Sequence, residues 1–517
     1  MRFIYSSASE TVIYLGGETG GNIGLSAWNF LERHATWAMN SNRDADPGRP
    51  AEMEALTEFR GELSDVEVDV LQRPWFTRLW VLQEVVVSKT LSIQCGSRRV
   101  PWDDFCKILL LTPRYVDRYG FSLEQSGKIE IVRDMFQARC SYQERSGMDH
   151  VLPQWRSEVQ KSEDKTLGIL DLLQRTRFQL EASDARDKIF GLLGISSGID
   201  LEDEDFAVDY SQDDASAYTR FTKNFIRTTG NYDILSYIGH SLVGYDENVG
   251  LTATMYGLPS WVPNWNLSKW NDWPWRNTRT ILSTLPSGRS EDKPLSCEQF
   301  NEHCGWVHGG YTLVASGFMI GQIDCVSNII EISGLKEIIW QEKRDSELPQ
   351  EEKNDLILRN WIESFYRLSP ILDRKYPFEN AFAECLNSER GTNNGTVEYH
   401  LLARSRKTDS WANDSLISPN LVIDKSSIVD GKRLAIYSLS RPPHTRALAI
   451  VPAHARTGDF LVDLIGGRVP FTIRLQDADP SPDIDFGIRD CILIGESVVN
   501  RVIEDMTTCP ERVFLIH

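Results

Sequence analysis

The sequence has no long apolar run and no cluster of basic residues. No stretch approaches the roughly 20 apolar residues of a bilayer-spanning helix, and the first residues lack the basic region and apolar core of a signal peptide. Lysine and arginine number 55 against 74 aspartate and glutamate residues, which gives a net charge of -19. The electrostatic field of a protein with this negative charge repels the phosphate backbones of nucleic acids. We therefore expect no membrane span, no nucleic-acid partner and a cytoplasmic location.

The sequence also lacks the cysteine pairs of a disulfide framework or a zinc site. Its nine cysteines are odd in number and scattered, which favours a reducing compartment. Four residues have the types that zinc sites use, namely Cys297, His303, Cys304 and His308. Because His303 and Cys304 are adjacent and no C-x-x-C occurs, we expect ordinary loop and core residues there and no bound metal.

The length and the local patterns predict several regions and an α+β class overall. A chain of 517 residues has room for roughly three to four domains. Four segments are predicted: residues 1–115, an α/β region with an incomplete parallel sheet; 116–258, mainly helical; 259–300, an irregular connection; and 301–517, a β-rich region with a helical insertion at about 334–370. The insertion is acidic, and short β-type runs between turn signals surround it.

A glycine cluster follows the first predicted strand. The apolar run from Thr11 to Leu15 leads into Gly16, Gly17, Gly20, Gly21 and Gly24, and a helix is predicted from Leu25 to about Ala38. The order of strand, glycine loop and helix is typical of a phosphate-binding turn, because helix N-termini attract anions. The cluster has neither G-x-G-x-x-G nor a P-loop lysine. We therefore predict no bound cofactor from this loop.

The densest motif covers residues 73 to 84, which read Arg-Pro-Trp-Phe-Thr-Arg-Leu-Trp-Val-Leu-Gln-Glu. Pro74 suits the first turn of a helix, and the run to Val87 consists of helix-forming residues. In one continuous helix Phe76, Trp80 and Glu84 form a stripe, because residues four apart lie one above the other. The pattern therefore predicts a carboxylate beside an indole, with a raised pKa.

This motif resembles the R-x-W-F-x-R-x-W-x-x-Q-E signature of the fungal heterokaryon-incompatibility (HET) family. The matching residues are Arg73, Trp75, Phe76, Arg78, Trp80, Gln83 and Glu84. The resemblance continues upstream through Ile4-Tyr5…Ala8…Val12…Leu15-Gly16. Downstream it continues through Asp184-x-Arg186-Asp187-Lys188…Leu192-Leu193-Gly194, Asp209-Tyr210-Ser211 and the segment 258–265. Two other family motifs, L-S-Y-x-W-G and W-I-D-x-x-C-I-x-Q, would stand before Met1. The resemblance thus implies a HET domain without its first part.

The resemblance implies a role in vegetative incompatibility, with non-self recognition and programmed cell death signalled through protein partners. HET domains are thought to be related to TIR domains, α/β folds with a parallel sheet. Some TIR domains cleave NAD with a helix-borne glutamate that lies four residues after a tryptophan. Trp80 and Glu84 repeat that spacing. Glu84 is therefore the candidate catalytic residue, and NAD is the candidate substrate.

Two other interpretations of the same residues remain open. The aromatic residues of the motif can be core, with Glu84 paired to Arg78 or Arg73, since ion-pair networks also perturb carboxylates. The protein is then a non-enzymatic scaffold that acts only by binding. In the other interpretation, NAD hydrolysis belongs to a full-length form with the whole domain.

Overall fold

The computed structural model divides the chain into two compact units, Met1–Tyr210 and Ser211–His517. The described residues are 2–17, 22–40, 61–118, 127–148, 152–159, 167–177, 179–200, 203–240, 257–266, 296–329, 385, 431–440, 446–476, 488–499 and 510–517. The predicted insertion at 334–370 and residues 267–295 of the predicted connection lie outside them.

The first unit is built around a small mixed sheet. Its strands are β1 (Thr11–Tyr14), β2 (Leu91–Cys95) and β3 (Arg98–Pro101), in the order β1-β2-β3. β1 pairs with β2 in parallel, and β2 pairs with β3 in an antiparallel hairpin. The sheet therefore has one parallel pairing, formed by the two strands that the apolar runs predict.

Helices surround this sheet. The α-helices of the first unit include Arg2–Ser7, Asn22–Asn40, Val81–Val87, Trp102–Arg118, Gly127–Arg145, Arg156–Val159, Ile169–Thr176 and Asp187–Leu193. The helix Gly127–Arg145 packs against Val81–Val87, and both contribute buried residues to the core. The motif helix Val81–Val87 is therefore buried on nearly all sides.

The motif does not form the single helix from 74 to 87 that the sequence predicts. Pro74–Thr77 is a 3-10 turn, Arg78 is extended with φ -86° and ψ 132°, and the α-helix begins only at Val81. Arg78 pairs with Glu181 in an isolated parallel bridge, and the Leu79 amide donates to the Glu181 carbonyl at 2.8 Å. This distant pairing breaks the helix. The predicted stripe through Phe76 is therefore wrong.

The second unit contains a nine-stranded sheet. Its strands are β4 (Cys304–Val307), β5 (Thr312–Val326), β6 (Lys432–Leu439), β7 (Arg446–Pro452), β8 (Phe460–Leu464), β9 (Phe471–Leu475), β10 (Ile488–Glu496), β11 (Val498–Val499) and β12 (Arg512–Ile516). The order is β11-β7-β6-β5-β12-β10-β9-β8, with β4 on β5 and a further pairing between β5 and β8. Long β5 is therefore shared by several neighbours.

Two α-helices complete the described part of the second unit, Asp214–Thr229 and Cys297–Asn301. Asp213 caps the longer one by accepting from the Ser216 amide at 2.7 Å, and Gly230 ends it in a left-handed conformation with φ 64°. Glycine adopts that conformation at no steric cost.

Helices and sheets in both units confirm the predicted α+β class. The four predicted segment boundaries stay predictions. Among the described residues, no helix is both long enough and apolar enough to cross a bilayer.

Candidate functional site

Arg73 fastens the motif to the loop after β1. Its Nη1 donates to the carbonyl oxygens of Leu15, at 2.8 Å, and Gly17, at 3.1 Å, while Nε donates to the Asp69 carbonyl at 2.8 Å. Gly16 between those two carbonyls has φ 101°. The carbonyl oxygens of Leu15 and Gly17 therefore accept from a guanidinium, whereas a phosphate-binding loop presents amide N–H groups to its ligand. Gly20 and Gly21 lie outside the described residues.

The first aromatic residues of the motif belong to an aromatic cluster. Phe76 is 1% exposed, and its ring centre lies 5.0 Å from that of Trp75 and 6.3 Å from that of Phe105. Trp75 also makes an edge contact with the fully buried Trp102. Burial of such rings contributes strongly to a core. Trp75 and Phe76 thus hold the 3-10 turn against the helix Trp102–Arg118.

Glu84 is a half-buried carboxylate in the first turn of the helix Val81–Val87. Burial raises its pKa, although the Tyr5 hydroxyl and the Trp75 indole N–H donate hydrogen bonds to it and the Arg78 charge lies nearby, all of which lower the pKa. The predicted direction of the shift is confirmed. The indole that donates to the carboxylate is that of Trp75, because the break at Arg78 folds the 3-10 turn back toward the helix.

Tyr5 is a member of this site whose contact with Glu84 the sequence did not predict, although Ile4-Tyr5 is part of the family resemblance. Burial raises the pKa of its hydroxyl, and the Glu84 charge and the hydrogen bond to Glu84 raise it further. Tyr5 lies in the helix Arg2–Ser7, which contacts the motif helix. A single tyrosine 79 positions before a glutamate gives no local signal of such a pair.

Trp80 points its indole at a second carboxylate. Its Nε1 donates to Asp187 Oδ2 at 2.9 Å, and the Tyr210 hydroxyl donates to Asp187 Oδ1 at 2.6 Å. Burial and the neighbouring Asp187 raise the pKa of Tyr210. Asp187 is only 8% exposed, so each oxygen needs a partner. Three separate family-like segments therefore meet at one carboxylate.

Gln83 joins the motif helix to the helix Asp187–Leu193. Its Nε2 donates to the Gly191 carbonyl at 2.7 Å in the interior. A Cβ at Gly191 would lie 3.2 Å from Leu79 Cδ2. The small residue allows the two segments to approach, and the amide of Gln83 satisfies the buried carbonyl.

The far end of the motif helix is held by the helix Gly127–Arg145. Arg139 donates from Nη1 to the Val85 carbonyl at 2.8 Å and to the Ser88 carbonyl, and from Nη2 to the Lys89 carbonyl at 3.0 Å. Burial lowers the pKa of this guanidinium. A cation at a helix C-terminus satisfies the last carbonyls and favours the helix dipole. This contact fixes the helix that carries Glu84.

Residues 194–198 read Gly-Ile-Ser-Ser-Gly, the letters of a serine-hydrolase elbow. They follow the helix Asp187–Leu193 and not a strand. The Ser196 hydroxyl donates to the Leu193 carbonyl at 3.0 Å and is buried. This segment lacks the strand, turn and helix of an elbow, so it is not a candidate nucleophile.

The four zinc-like side chains have four different partners. Cys297 Sγ contacts the Thr228 carbonyl at 3.7 Å, and His303 Nδ1 lies 3.0 Å from Glu511 Oε1. Burial raises the pKa of Cys304, next to Tyr232, to about 11, and His308 Nδ1 lies 3.1 Å from Thr312 Oγ1. Within the described ranges, no group of three metal-ligating side chains converges. The absence of a metal stays a prediction.

Glu84 is the residue of the motif that is suited to proton transfer. The polar side-chain atoms of four other motif residues take part in internal hydrogen bonds, namely those of Arg73, Trp75, Trp80 and Gln83. Glu84 combines partial exposure, a raised pKa and a hydroxyl neighbour, and these are properties of a general acid or base. The same contacts also describe a carboxylate that fixes an N-terminal helix to the motif.

Comparisons with known proteins agree with the motif. Residues 1–84 match the family model described as "Heterokaryon incompatibility protein (HET)". No curated protein and no solved structure matches the chain. The matched segment ends at Glu84 and includes Tyr5 and the loop that Arg73 fastens.

Proposed function

We propose that this chain, a HET-domain family protein by its match over residues 1–84, signals non-self recognition and programmed cell death in heterokaryon incompatibility. In this proposal the HET segment acts through protein partners in the cytoplasm. The family match is the observation that carries it.

The contacts of the motif support a binding role for the segment. Trp80 and Gln83 hold it to residues 187–191, and Arg139 holds the end of its helix. A motif whose polar atoms are satisfied internally is rigid, so it can hold a partner-binding surface in one shape. Residues 1–84 also carry exposed apolar side chains, since Phe3 is 85% exposed and Ile4 is 69% exposed.

Induced expression tests this function. The full chain is placed under an inducible promoter in a filamentous fungus, and growth and entry of a membrane-impermeant dye are measured. Wild-type protein should arrest growth and admit dye. Trp80→Phe should lose the effect, because the ring stays but the bond to Asp187 is lost.

Trp306→Phe is the matched control. The indole N–H of Trp306 has no hydrogen-bond partner among the described residues, so this variant should behave as wild type. Equal steady-state amounts of the three proteins are established by immunoblot. Normal growth with abundant wild-type protein in several genetic backgrounds would reject the proposed function.

Glu84 supports a second candidate function, NAD hydrolysis of the TIR type. Its raised pKa and its contact with the Tyr5 hydroxyl suit a carboxyl that orients a ribose hydroxyl or stabilises an oxocarbenium-like centre. Release of nicotinamide from NAD by the purified full chain is the test. Glu84→Gln should abolish it, and Glu10→Gln, a surface control, should not. Absence of nicotinamide release by the wild type removes NAD hydrolysis as an activity of this chain and leaves the first candidate standing.

A further inference from the structure

Four side chains of the second unit form one row of hydrogen bonds. Thr312 Oγ1 lies 3.1 Å from His308 Nδ1 and 3.2 Å from His517 Nδ1. His517 Nε2 lies 2.6 Å from Asp490 Oδ1. The two imidazole rings are nearly parallel, with centres 6.3 Å apart. A carboxylate, an imidazole, a hydroxyl and a second imidazole are thus linked in that order.

The sheet topology brings these residues together from distant parts of the chain. β12 lies between β5 and β10, with Ile516 opposite Leu313 in β5 and Cys491 opposite Ile516 in β10. The residue after β12, His517, therefore meets Thr312 on one side and Asp490 on the other. Its amide donates to the Cys491 carbonyl at 3.0 Å, which holds the backbone in place.

Counting protons assigns the tautomers. When Asp490 is ionised and His517 is neutral, the proton of His517 lies on Nε2 and its Nδ1 accepts. The Thr312 hydroxyl must donate to that Nδ1, which uses its one proton. His308 must then donate from its own Nδ1 to the Thr312 oxygen. The lone pair of His308 is therefore on Nε2, which has no partner among the described residues.

The backbone presents this imidazole to solvent. His308 is exposed and has φ 51°, the one positive φ at a non-glycine residue in the described part of the chain. Strain of this kind marks functional positions. Gly309 and Gly310 follow with φ 71° and 96°, and a Cβ at Gly310 would lie 3.4 Å from Lys223 Nζ. An ammonium thus lies against the loop that carries the imidazole.

We propose that His308 is a phosphoryl acceptor, with Nε2 as its nucleophile and a small acyl phosphate as its donor. An exposed imidazole suits a donor that arrives from solution, and the Lys223 ammonium attracts the phosphoryl oxygens. Thr312, His517 and Asp490 are positioning residues. They keep the proton of His308 on Nδ1 and leave Nε2 free to react.

Phosphoryl transfer to His308 releases a proton, and the same row of hydrogen bonds takes it up. The Nε2 lone pair attacks phosphorus, an N–P bond forms, and the P–O bond to the carboxylate leaving group breaks with its electron pair on that oxygen. The ring then carries a positive charge. Its Nδ1 proton passes to the Thr312 oxygen as the Thr312 proton passes to His517 Nδ1, and Asp490 stabilises the resulting imidazolium. Among the described residues, the titratable groups of this row are His308, His517 and Asp490, and Lys223 lies beside the loop.

Labelling with acetyl phosphate tests the proposal. The full chain is incubated with this donor, the phosphoryl group is located by mass spectrometry, and the rate is measured between pH 5 and pH 9. We expect one acid-labile label on His308 and none on His308→Gln. The rate should fall at low pH, because a protonated His308 Nε2 has no lone pair to attack phosphorus.

Thr312→Val keeps the shape of Thr312 and removes the hydroxyl. It should react at least tenfold more slowly at neutral pH, because a positioned proton acceptor contributes roughly 10²–10⁴-fold to a rate. Thr312→Ser keeps the hydroxyl and should restore the rate. His303→Gln is the matched control, since His303 is paired with Glu511, and it should leave labelling unchanged.

Three outcomes overturn the proposal. They are no label on folded wild-type protein, a label that persists in His308→Gln, and a folded Thr312→Val protein with the wild-type rate and pH profile. Circular dichroism and the amide exchange of β5 establish folding of each variant. If Thr312→Val fails to fold, the comparison of Thr312→Ser with Asp490→Asn decides, because only Asp490→Asn should slow labelling.

Discussion

The indole N–H of Trp80 donates to Asp187 Oδ2 at 2.9 Å, across 107 positions of sequence. Asp187 also receives the Tyr210 hydroxyl at 2.6 Å. Both carboxylate oxygens are therefore satisfied inside the first unit. The bond explains why a tryptophan with a polar N–H stands at this position of the motif.

Trp80→Phe should destabilise the first unit by about 1–3 kcal/mol, because it leaves a buried carboxylate oxygen without its donor. Hydrogen–deuterium exchange of the helices Val81–Val87 and Asp187–Leu193 measures the change as faster amide exchange in both. Trp306→Phe should leave these rates as they are. Slower or unchanged exchange in Trp80→Phe would show that Asp187 does not depend on the indole.

Arg139→Met should free the end of the motif helix. The apolar stem is retained, but the carbonyls of Val85 and Lys89 lose their donor, and leaving the buried Val85 carbonyl unsatisfied costs about 1–3 kcal/mol. Amide exchange of residues 85–91 should rise strongly. Arg33→Met is the control, since the Arg33 side chain is 58% exposed. Similar exchange in the two variants would contradict the capping role.

Gly321→Ala should disrupt β5 at the irregular pairing where the strand contacts both β6 and β8. A Cβ there would lie 2.3 Å from the Ser438 carbonyl oxygen and 2.7 Å from Tyr437 Cδ2. Overpacking of this kind costs about 1–3 kcal/mol or more. Gly305→Ala in β4 has open space around its Cβ and is the control. The urea midpoint should fall for Gly321→Ala alone.

Asp134 should make stability depend on pH. Burial raises its pKa to about 6, against the lowering effect of its ion pair with Arg175 at 2.8 Å. The folded state therefore holds this proton more tightly than the unfolded state. Its contribution to stability is present below the unfolded pKa, near pH 4, and is lost as the pH rises through about 6.

Asp134→Asn removes this contribution. Relative to the variant, the wild type should lose up to roughly 3 kcal/mol between pH 4 and pH 7, by the size of the shift. Urea unfolding of both proteins at four pH values measures the difference. The raised pKa would be contradicted if the difference in unfolding free energy between the two proteins stayed constant with pH. It would also be contradicted if the wild type gained stability relative to the variant as the pH rises.

Local patterns predicted the elements well and the contacts poorly. The short β-type runs predicted after the insertion, at 433–438, 447–451 and 460–465, coincide within one residue with β6, β7 and β8, because alternation and turn residues are local signals. The break at Arg78 arises from its bridge to Glu181, and no helix propensity encodes a partner that far away. The predicted stripe failed for this reason.

The sequence identified only part of the candidate site, because contacts between residues far apart in the chain have no local signal. Glu84 and the direction of its pKa shift follow from an aromatic-rich motif, but Tyr5 and Asp187 reach the motif only through the fold. β12 (Arg512–Ile516) was not predicted, and its pairing with β5 and β10 joins residues far apart in the chain, which no local pattern encodes.

Cell death after induced expression of Glu84→Gln tests the central claim most directly. The account holds that the HET segment signals through its shape, which Gln preserves because its amide oxygen still accepts from Tyr5 and Trp75. We predict dye entry and growth arrest equal to wild type, with loss in Trp80→Phe. A folded, abundant Glu84→Gln protein that leaves growth normal, beside a wild type that arrests it, would contradict the account.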